Sequence, residues 1–213
     1  MNRRFVHDLE RGGGRPVGGA DEAGRGCLAG PLVAAAVCFE YRGWSAGAYE
    51  LLERLDDSKK LTRRARAALY GRVISRARQV AVVACAAQSI DRRGLQACNI
   101  GALETALGLL SPPPETVFVD GYALSDNAVP HERLVGGDGL SAAVAAASIV
   151  AKVTRDRLMA ALHGRWPQWG FERHVGYASP EHRRAIVEHG LCELHRRSFA
   201  SVAYRQLELR ADL

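Results

Sequence analysis

The apolar residues of this chain form short continuous runs, which are typical of strands buried inside a sheet. An unbroken run after Pro31 predicts a strand over 32–39, and a run that ends on an acid predicts another over 116–120. A strand is also expected to approach Asp21. Further strands are predicted over 80–87 and 133–135. The chain is therefore expected to contain a sheet.

Between these runs, apolar residues recur three or four positions apart, which is the spacing of one face of a helix. Ala65, Leu69 and Val73 predict a helix that begins after Thr62, and the Thr62 side chain is placed to cap it. Helices are also predicted over 91–110, 141–162 and 180–189. Strands that cluster early and then mix with helices predict an α/β or α+β fold in which helices cover the sheet.

The length of 213 residues is enough for one well-buried core, so we expect a single domain over residues 1–213. Residues 1–15 end in Arg11-Gly-Gly-Gly-Arg15 and are expected to form a mobile lead-in. No segment has the pattern of a signal peptide or a membrane span. The five scattered cysteines indicate a reducing compartment and no structural zinc, so we expect a cytoplasmic protein that binds no membrane.

The charge is +6 and is concentrated in two regions, about 54–80 and 152–210. Two basic regions around an acidic site would suit a polyanionic partner, because neutralising phosphates drives most non-specific binding to nucleic acids. The alternative is a pair of solvated helix faces, which charge alone does not exclude.

The segment with the most chemical information is Asp21-Glu-Ala-Gly-Arg-Gly26. Asp21 and Glu22 are expected where a strand runs into a loop, and Gly24 and Gly26 allow the loop backbone to approach a ligand closely. Two carboxylates beside bare N–H groups and Arg25 suggest a metal ion held together with a phosphate or a sugar. The alternative is that these acids are solvated turn residues.

Further acids favour the metal hypothesis. Asp120 ends a predicted strand, and Asp156 shares a helix face with Ser148 and Lys152. Asp156 either forms an ion pair with Lys152 or points toward Asp21 and Asp120. Oxygen ligands without Cys or paired His favour Mg²⁺ or Mn²⁺, and two such ions suit phosphodiester hydrolysis. Asp138, within Gly136-Gly-Asp-Gly139, is interpreted as a loop acid rather than a ligand.

Several ordered motifs together resemble ribonuclease HII, the type 2 ribonuclease H, from about residue 17 to residue 199. The matching segments are Asp21-Glu-Ala-Gly-Arg-Gly26, Asp57-Ser-Lys-Lys-Leu61, Val119-Asp-Gly121, Ala146 to Met159, Gly176-Tyr177 and His195-Arg-Arg-Ser-Phe199. The resemblance implies an α/β ribonuclease H-like fold: a central mixed five-stranded sheet flanked by helices, with a C-terminal helical part over about 163–205 that binds substrate. It also implies a monomeric two-metal endoribonuclease that cuts RNA–DNA hybrids and cleaves 5′ of single ribonucleotides in duplex DNA, leaving 3′-hydroxyl and 5′-phosphate ends.

The same resemblance assigns roles to individual residues. The implied catalytic and metal-binding carboxylates are Asp21, Glu22, Asp120 and Asp156. The implied contacts to the ribose 2′-hydroxyl, the RNA-to-DNA junction and the phosphates are Gly24, Arg25, Gly26, Tyr177, Lys59, Lys152, Arg196 and Arg197. An aromatic face can pack on a deoxyribose while its hydroxyl joins the 2′-hydroxyl network, which suits Tyr177 to the junction.

Some positions depart from the family or leave alternatives open. Val175 stands where the family often has Lys, so one phosphate contact is missing or supplied by Arg173. The tail over 206–210 partly resembles a peptide that docks on sliding clamps, but Arg210 replaces the anchoring aromatic residue, which favours an ordinary amphipathic tail. Ribonuclease HIII, the sister type, typically has Gly-Lys-Gly in place of Gly24-Arg25-Gly26, so Arg25 favours type 2. The alternatives are a catalytically silent nucleic-acid-binding protein and a metal-dependent DNA nuclease, which would not need Tyr177.

Overall fold

A computed structural model describes residues 2–55 and 61–211, with side chains described as far as residue 206. Its centre is a sheet of five strands in the order β3-β2-β1-β4-β5. The strands are β1 (Val17–Ala23), β2 (Leu32–Phe39), β3 (Gln79–Cys85), β4 (Thr116–Asp120) and β5 (Glu132–Leu134). β2 pairs antiparallel with β1 and β3, whereas β4 pairs parallel with β1 and β5. The expected mixed five-stranded sheet is therefore confirmed.

Helices lie on both faces of this sheet. They are α1 (Arg3–Gly12), α2 (Ala46–Leu51), α3 (Arg63–Arg76), α4 (Ala87–Arg93), α5 (Leu95–Gly108), α6 (Ala142–His163), α7 (Phe171–His174), α8 (Pro180–His189) and α9 (Val202–Ala211). The last three follow α6 and form a C-terminal helical part. None of the helices within the described residues is both long enough and apolar enough to cross a membrane.

The hydrophobic pattern of the sequence predicted most of these strands and helices. The Thr62 hydroxyl accepts a hydrogen bond from the Ala65 N–H at 3.2 Å and caps α3 as predicted. The helix predicted over 91–110 is instead two helices, because Gly94 between α4 and α5 has a φ of 83°, which a continuous helix does not allow.

β2 is buried on both faces because its alternate residues enter two different cores. Ala35, Val37 and Phe39 pack toward α6, whereas Ala34, Ala36 and Cys38 pack toward α5. This is why the run over 32–39 is continuously apolar. The two helices hold the middle strands in a fixed position, and the ends of β1 and β4 lie beside α6.

The expectation of a mobile lead-in over 1–15 is wrong for residues 3–12, which form α1. Phe5 is fully buried among aromatic rings that include Tyr41. The Asp8 carboxylate accepts hydrogen bonds from the Tyr41 hydroxyl at 2.6 Å and from the Ala143 N–H at 2.9 Å. Apolar burial and these two bonds offset the entropy cost of ordering a charged, glycine-flanked segment.

Candidate active site

The register between β1 and β4 brings two acids together. Ala20 lies opposite Val119 in this parallel pair, so the next residues, Asp21 and Asp120, lie side by side at the carboxyl ends of the strands. Alternation places both side chains on the face that packs against α6. Ser148 of α6 donates a hydrogen bond to the Asp21 carboxylate.

Asp21 lies in an environment that disfavours its negative charge. Burial is the main cause that raises the pKa of Asp21 well above its ordinary value, and the charges of Glu22 and Asp120 raise it further. The Ser148 hydroxyl and the Glu22 N–H, which lies 2.7 Å from Asp21 Oδ1, act in the opposite direction. A cation placed between these carboxylates would relieve their repulsion.

The other two acids of this region are held from different sides. Glu22 follows Asp21 in the strand, close enough for its charge to act on the Asp21 carboxyl, and its Oε1 lies 3.7 Å from Arg25 Nε. Asp120 Oδ1 accepts a hydrogen bond from the Gly137 N–H at 2.6 Å. Asp138 is the residue after Gly137, so its backbone lies next to this hydrogen bond.

A cavity of about 270 Å³ opens beside these acids. Its lining consists of Asp21, Glu22, Ala23, Gly24, Arg25, Gly26, Ser148, Lys152 and Tyr177. Gly24 has a φ of 93°, and a Cβ there would overlap the Arg155 side chain, so only glycine fits. The cavity thus brings together Asp21, Glu22, the Gly24–Gly26 loop, Lys152 and Tyr177, and the roles assigned to them stay predictions.

Tyr177 stands at the rim of the cavity with 42% of its surface exposed. Lys152 Nζ lies 5.1 Å from the centre of its ring. Burial raises the pKa of Tyr177, and its hydroxyl forms a hydrogen bond with the Cys27 thiol, so the phenol oxygen can still accept a hydrogen bond. An exposed ring face beside a cation suits contact with a sugar and its phosphate.

Asp156 lies elsewhere. Its carboxylate is 2.8 Å from Lys152 Nζ and 4.0 Å from the Arg66 guanidinium, and it lies two helical turns beyond Ser148, roughly 12 Å along α6. The structure thus contains the ion pair with Lys152 and does not gather Asp156 with Asp21 and Asp120. Among residues 2–55 and 61–211, no three His, Cys, Asp or Glu side chains are placed to hold one metal ion.

The basic residues predicted to contact phosphates divide into three groups. Lys152 lines the cavity and Arg197 is exposed. The prediction for Arg196 is wrong, because its guanidinium is fully buried and bonded to backbone carbonyls, which leaves it unable to reach a phosphate. Lys59 lies outside the described residues, so its predicted role stays a prediction.

Sequence reasoning did not single out Arg155, which is also fully buried. Its guanidinium donates to the carbonyls of Pro31, Val175 and Ala29 at 2.8–3.1 Å. The available signal was its position in α6, one residue before Asp156 on a mostly buried, alanine-rich helix. A charged residue on such a helix requires buried partners.

The mixed sheet, with two acids at the ends of adjacent parallel strands and a glycine-rich loop beside them, matches the ribonuclease H-like fold that the sequence predicted. A sequence profile described as Ribonuclease HII matches residues 18–202. Ribonuclease HII of Geobacillus kaustophilus is 45% identical over 199 residues, which cover 93% of this chain and 74% of that protein.

Solved structures agree with this comparison. The ribonuclease H2 of Pyrococcus horikoshii matches with a TM-score of 0.76 and 26% identity, over 92% of this chain and 98% of that one. A ribonuclease HII of Archaeoglobus fulgidus, solved in complex with PCNA, matches with a TM-score of 0.69 and 25% identity, over 87% of this chain and 95% of that one. The chain belongs to the ribonuclease HII family and is an endoribonuclease.

Proposed function

We propose that this enzyme hydrolyses the RNA strand of RNA–DNA hybrids and cleaves 5′ of single ribonucleotides embedded in duplex DNA, leaving 3′-hydroxyl and 5′-phosphate ends. The observation that carries this proposal is the shared cavity: it places Asp21 and Glu22 beside the Gly24–Gly26 loop and Tyr177. The acids suit phosphodiester hydrolysis, and the loop and the ring suit recognition of a ribose.

We propose Mg²⁺ or Mn²⁺ as the cofactor, held as two divalent ions by Asp21, Glu22 and Asp120. The donor set fits these metals, because it consists of oxygens and because the charges around Asp21 repel one another without a cation. Mg²⁺ is commonly bound through one or two carboxylates plus waters and substrate phosphates, so a ready group of three ligands is not required. When bound, such ions activate water and stabilise the leaving oxygen of an in-line displacement.

The residues of the chain supply orientation. The Gly137 N–H fixes the Asp120 carboxylate, and Ser148 fixes that of Asp21. Lys152 lies between Asp156 and the Tyr177 ring, where its charge can hold a backbone phosphate next to the scissile one. The Arg25 guanidinium packs over the Tyr122 ring, with its Cζ atom 4.8 Å from the ring centre.

Cleavage of a labelled RNA–DNA hybrid tests the proposed ligands. We expect cleavage with Mg²⁺ or Mn²⁺ and none after chelation, and we expect Asp21→Asn and Asp120→Asn to lower kcat/KM at least about a hundredfold. Full activity in either variant would exclude its carboxylate as a ligand. Tight hybrid binding without cleavage under any condition would favour the catalytically silent binding protein.

Asp156 and Asp138 are the two candidates for the fourth metal-binding carboxylate. Asp156 matches the implied motif position, but its ion pair with Lys152 favours a role in placing that lysine. Asp138 follows the residue that contacts Asp120, which favours it as the acid that completes the site. We expect Asp138→Asn to lower hybrid cleavage more than Asp156→Asn does. The reverse order would restore Asp156 as the fourth ligand.

We further propose that the enzyme acts as a monomer in the reducing cytoplasm, a setting that suits its five free cysteines. A weak contact between the tail over 206–210 and a sliding clamp is a separate proposal. The relative from Archaeoglobus fulgidus was solved with PCNA, which supports it, whereas Arg210 at the anchoring position opposes it. A clamp pull-down that is unchanged by deletion of residues 206–213 would eliminate this contact.

A further inference from the structure

Two arginines are fully buried beneath the cavity, which is an unusual place for a cation. Arg155 comes from α6, and Arg196 comes from the segment between α8 and α9. Neither forms an ion pair with any carboxylate in the part of the chain that the structure describes. Burying a charge in this way is costly unless its hydrogen bonds are complete, so the bonding partners of the two guanidinium groups indicate their role.

Arg196 binds the Gly-Arg-Gly loop from below. Its Nη1 donates to the Arg25 carbonyl at 2.8 Å, and its Nε and Nη2 both donate to the Gly30 carbonyl at 3.1 and 2.9 Å. The Arg196 N–H also donates to the Leu28 carbonyl at 2.8 Å. One residue therefore fixes the loop at both ends, from Arg25 to Gly30.

Arg155 joins that loop to the segment that carries Tyr177. Its guanidinium donates to the Ala29 and Pro31 carbonyls of the loop and also to the Val175 carbonyl, two residues before Tyr177. The segments also touch directly: the Leu28 N–H donates to the Gly176 carbonyl at 2.9 Å, and a Cβ at Gly176 would overlap the Ala29 carbonyl. The loop and the tyrosine segment thus form one unit around the guanidinium.

The bond from Arg196 to the Arg25 carbonyl also sets the direction of a peptide group. In a planar trans peptide the C=O and N–H bonds point in opposite directions. Because the Arg25 carbonyl points inward to Arg196, the Gly26 N–H of the same peptide points outward. Gly26 lines the cavity, has open space around it, and its N–H donates to none of the residues that the structure describes.

We propose that Arg155 and Arg196 are positioning residues for ribose recognition, which hold the Gly26 N–H and the Tyr177 hydroxyl at a fixed separation so that both can meet one 2′-hydroxyl group. This inference rests on the proposed reading of ribose by the loop and Tyr177. The guanidinium fork is essential to it, because Arg155 donates to three carbonyls and Arg196 to two, in different directions, which needs a planar group with several donors. A lysine keeps the charge but lacks this fixed fork of donors.

The test compares binding of two duplexes that differ only in one ribonucleotide. All proteins carry Asp120→Asn so that the substrate stays intact, and Kd is measured for the ribonucleotide duplex and for the all-DNA duplex. The ratio of the two Kd values reports ribose discrimination. The variants are Arg155→Lys and Arg196→Lys, and the matched control is Arg157→Lys, which changes an exposed arginine on the same helix. Thermal unfolding is recorded for each protein.

We expect each buried variant to lower the discrimination ratio about five- to tenfold, the value of one lost hydrogen bond, while the control keeps the ratio of the parent. In a Tyr177→Phe background, Arg155→Lys should lower the ratio no further, because both changes act on the same contact. A loss of thermal stability with an unchanged ratio would overturn the proposal and leave the arginines purely structural.

A buried lysine can also prevent folding, so Arg196→Ala is measured with and without added guanidinium ion. Restored discrimination on refilling the site would support the proposal. A protein that stays unfolded with guanidinium would count against it, because the arginine would then be required for folding rather than for recognition. If the parent protein shows no discrimination between the duplexes, the proposed function fails, which is a different result from failure of the two arginines.

Discussion

Gly19 illustrates how one residue without a side chain positions the site. It precedes Asp21 by two residues on β1, and a Cβ there would overlap the backbone of Ala143 and Val144 in α6. This close approach of strand and helix allows Ser148, one turn further along α6, to reach the Asp21 carboxylate. The absence of a side chain at one position therefore orients a carboxylate at another.

Replacing Gly19 with alanine should destabilise the protein by about 1–3 kcal/mol, because backbone atoms cannot move aside as a flexible side chain does. Urea unfolding measures the change. Gly71→Ala is the matched control: Gly71 lies within α3 with open space around it, so alanine there should stabilise by about 0.5–1 kcal/mol. Equal effects of the two substitutions would contradict the close approach.

Short motifs predict the acids of this site, whereas no motif predicts the burial of the two arginines beside it. The residue types of Asp21, Glu22 and the Gly24–Gly26 loop, in that order, predict a site, and the structure brings these residues to one cavity. Arg196 was misassigned and Arg155 was missed, because a sequence does not reveal whether an arginine faces phosphate or backbone carbonyls. That distinction depends on burial, which only the packing of the segment between α8 and α9 against the loop decides.

At the scale of elements, periodicity predicted the strands and helices that pack through a regular apolar face. β2 and α8 have the predicted bounds, because a continuous run and a capped amphipathic turn are local signals. α1 was missed because its sequence is rich in arginine and ends in glycines. Its stability comes from distant partners such as Tyr41 and Ala143, which local periodicity does not report.

The docking of α1 can be tested with Phe5→Ala. Phe5 is fully buried and packs edge-on against Tyr41 and Tyr49, so its loss should lower the free energy of unfolding by about 3–5 kcal/mol. Chemical denaturation provides the measurement. Glu10→Ala, an exposed position on the same helix, should change stability by less than about 0.5 kcal/mol. A similarly small effect at Phe5 would mean that α1 does not pack on the core in solution.

The C-terminal helical part contains a chain of neutral histidines beneath Tyr177. The Cys192 N–H donates to His195 Nδ1, so His195 Nε2 carries the proton and donates to His182 Nε2 at 3.2 Å. His182 Nδ1 then donates to the Tyr177 carbonyl at 2.9 Å. Burial is the main cause that lowers the pKa of His182 to about 3 and that of His195 to about 4.

This histidine chain predicts a loss of stability in acid. The unfolded state binds protons below about pH 6.5, whereas the folded state resists them down to about pH 4, so stability falls as the pH falls through this window. We expect a loss on the order of 1–2 kcal/mol per histidine between about pH 6.5 and pH 5, measured by urea unfolding at each pH.

His182→Gln should flatten that pH dependence, because an amide does not titrate. His189→Gln, at an exposed position of the same helix, serves as the control and should keep the slope of the parent. If the slope of the His182 variant equals that of the parent, the histidine chain is not the source of the acid sensitivity.

At the scale of the whole molecule, the sheet brings together acids from distant parts of the chain. Asp21 and Asp120 are about a hundred residues apart in sequence, and the parallel pairing of β1 with β4 makes them neighbours. The crowding of charge that results is a cost to folding. A divalent ion that binds only the folded state should offset this cost.

Adding Mg²⁺ or Mn²⁺ should therefore raise the Tm of the parent protein, by an amount that grows with ion concentration, since a ligand of the folded state stabilises it by mass action. Removing the ion with a chelator should reverse the shift. Asp120→Asn should show a smaller shift, whereas the exposed control Glu10→Ala should keep it. If the ion raises the Tm of Asp120→Asn as much as that of Glu10→Ala, it binds away from Asp120.

Cleavage that depends on a ribose is tested with a labelled DNA duplex that carries one ribonucleotide, with product ends mapped to the nucleotide. With Mg²⁺ or Mn²⁺ we expect one cut 5′ of the ribonucleotide, none in an all-DNA duplex, and none without metal or with Asp120→Asn. Tight binding without cutting under either ion would identify a silent binding protein. Equal cutting of the all-DNA duplex would contradict ribose reading by the Gly24–Gly26 loop and Tyr177.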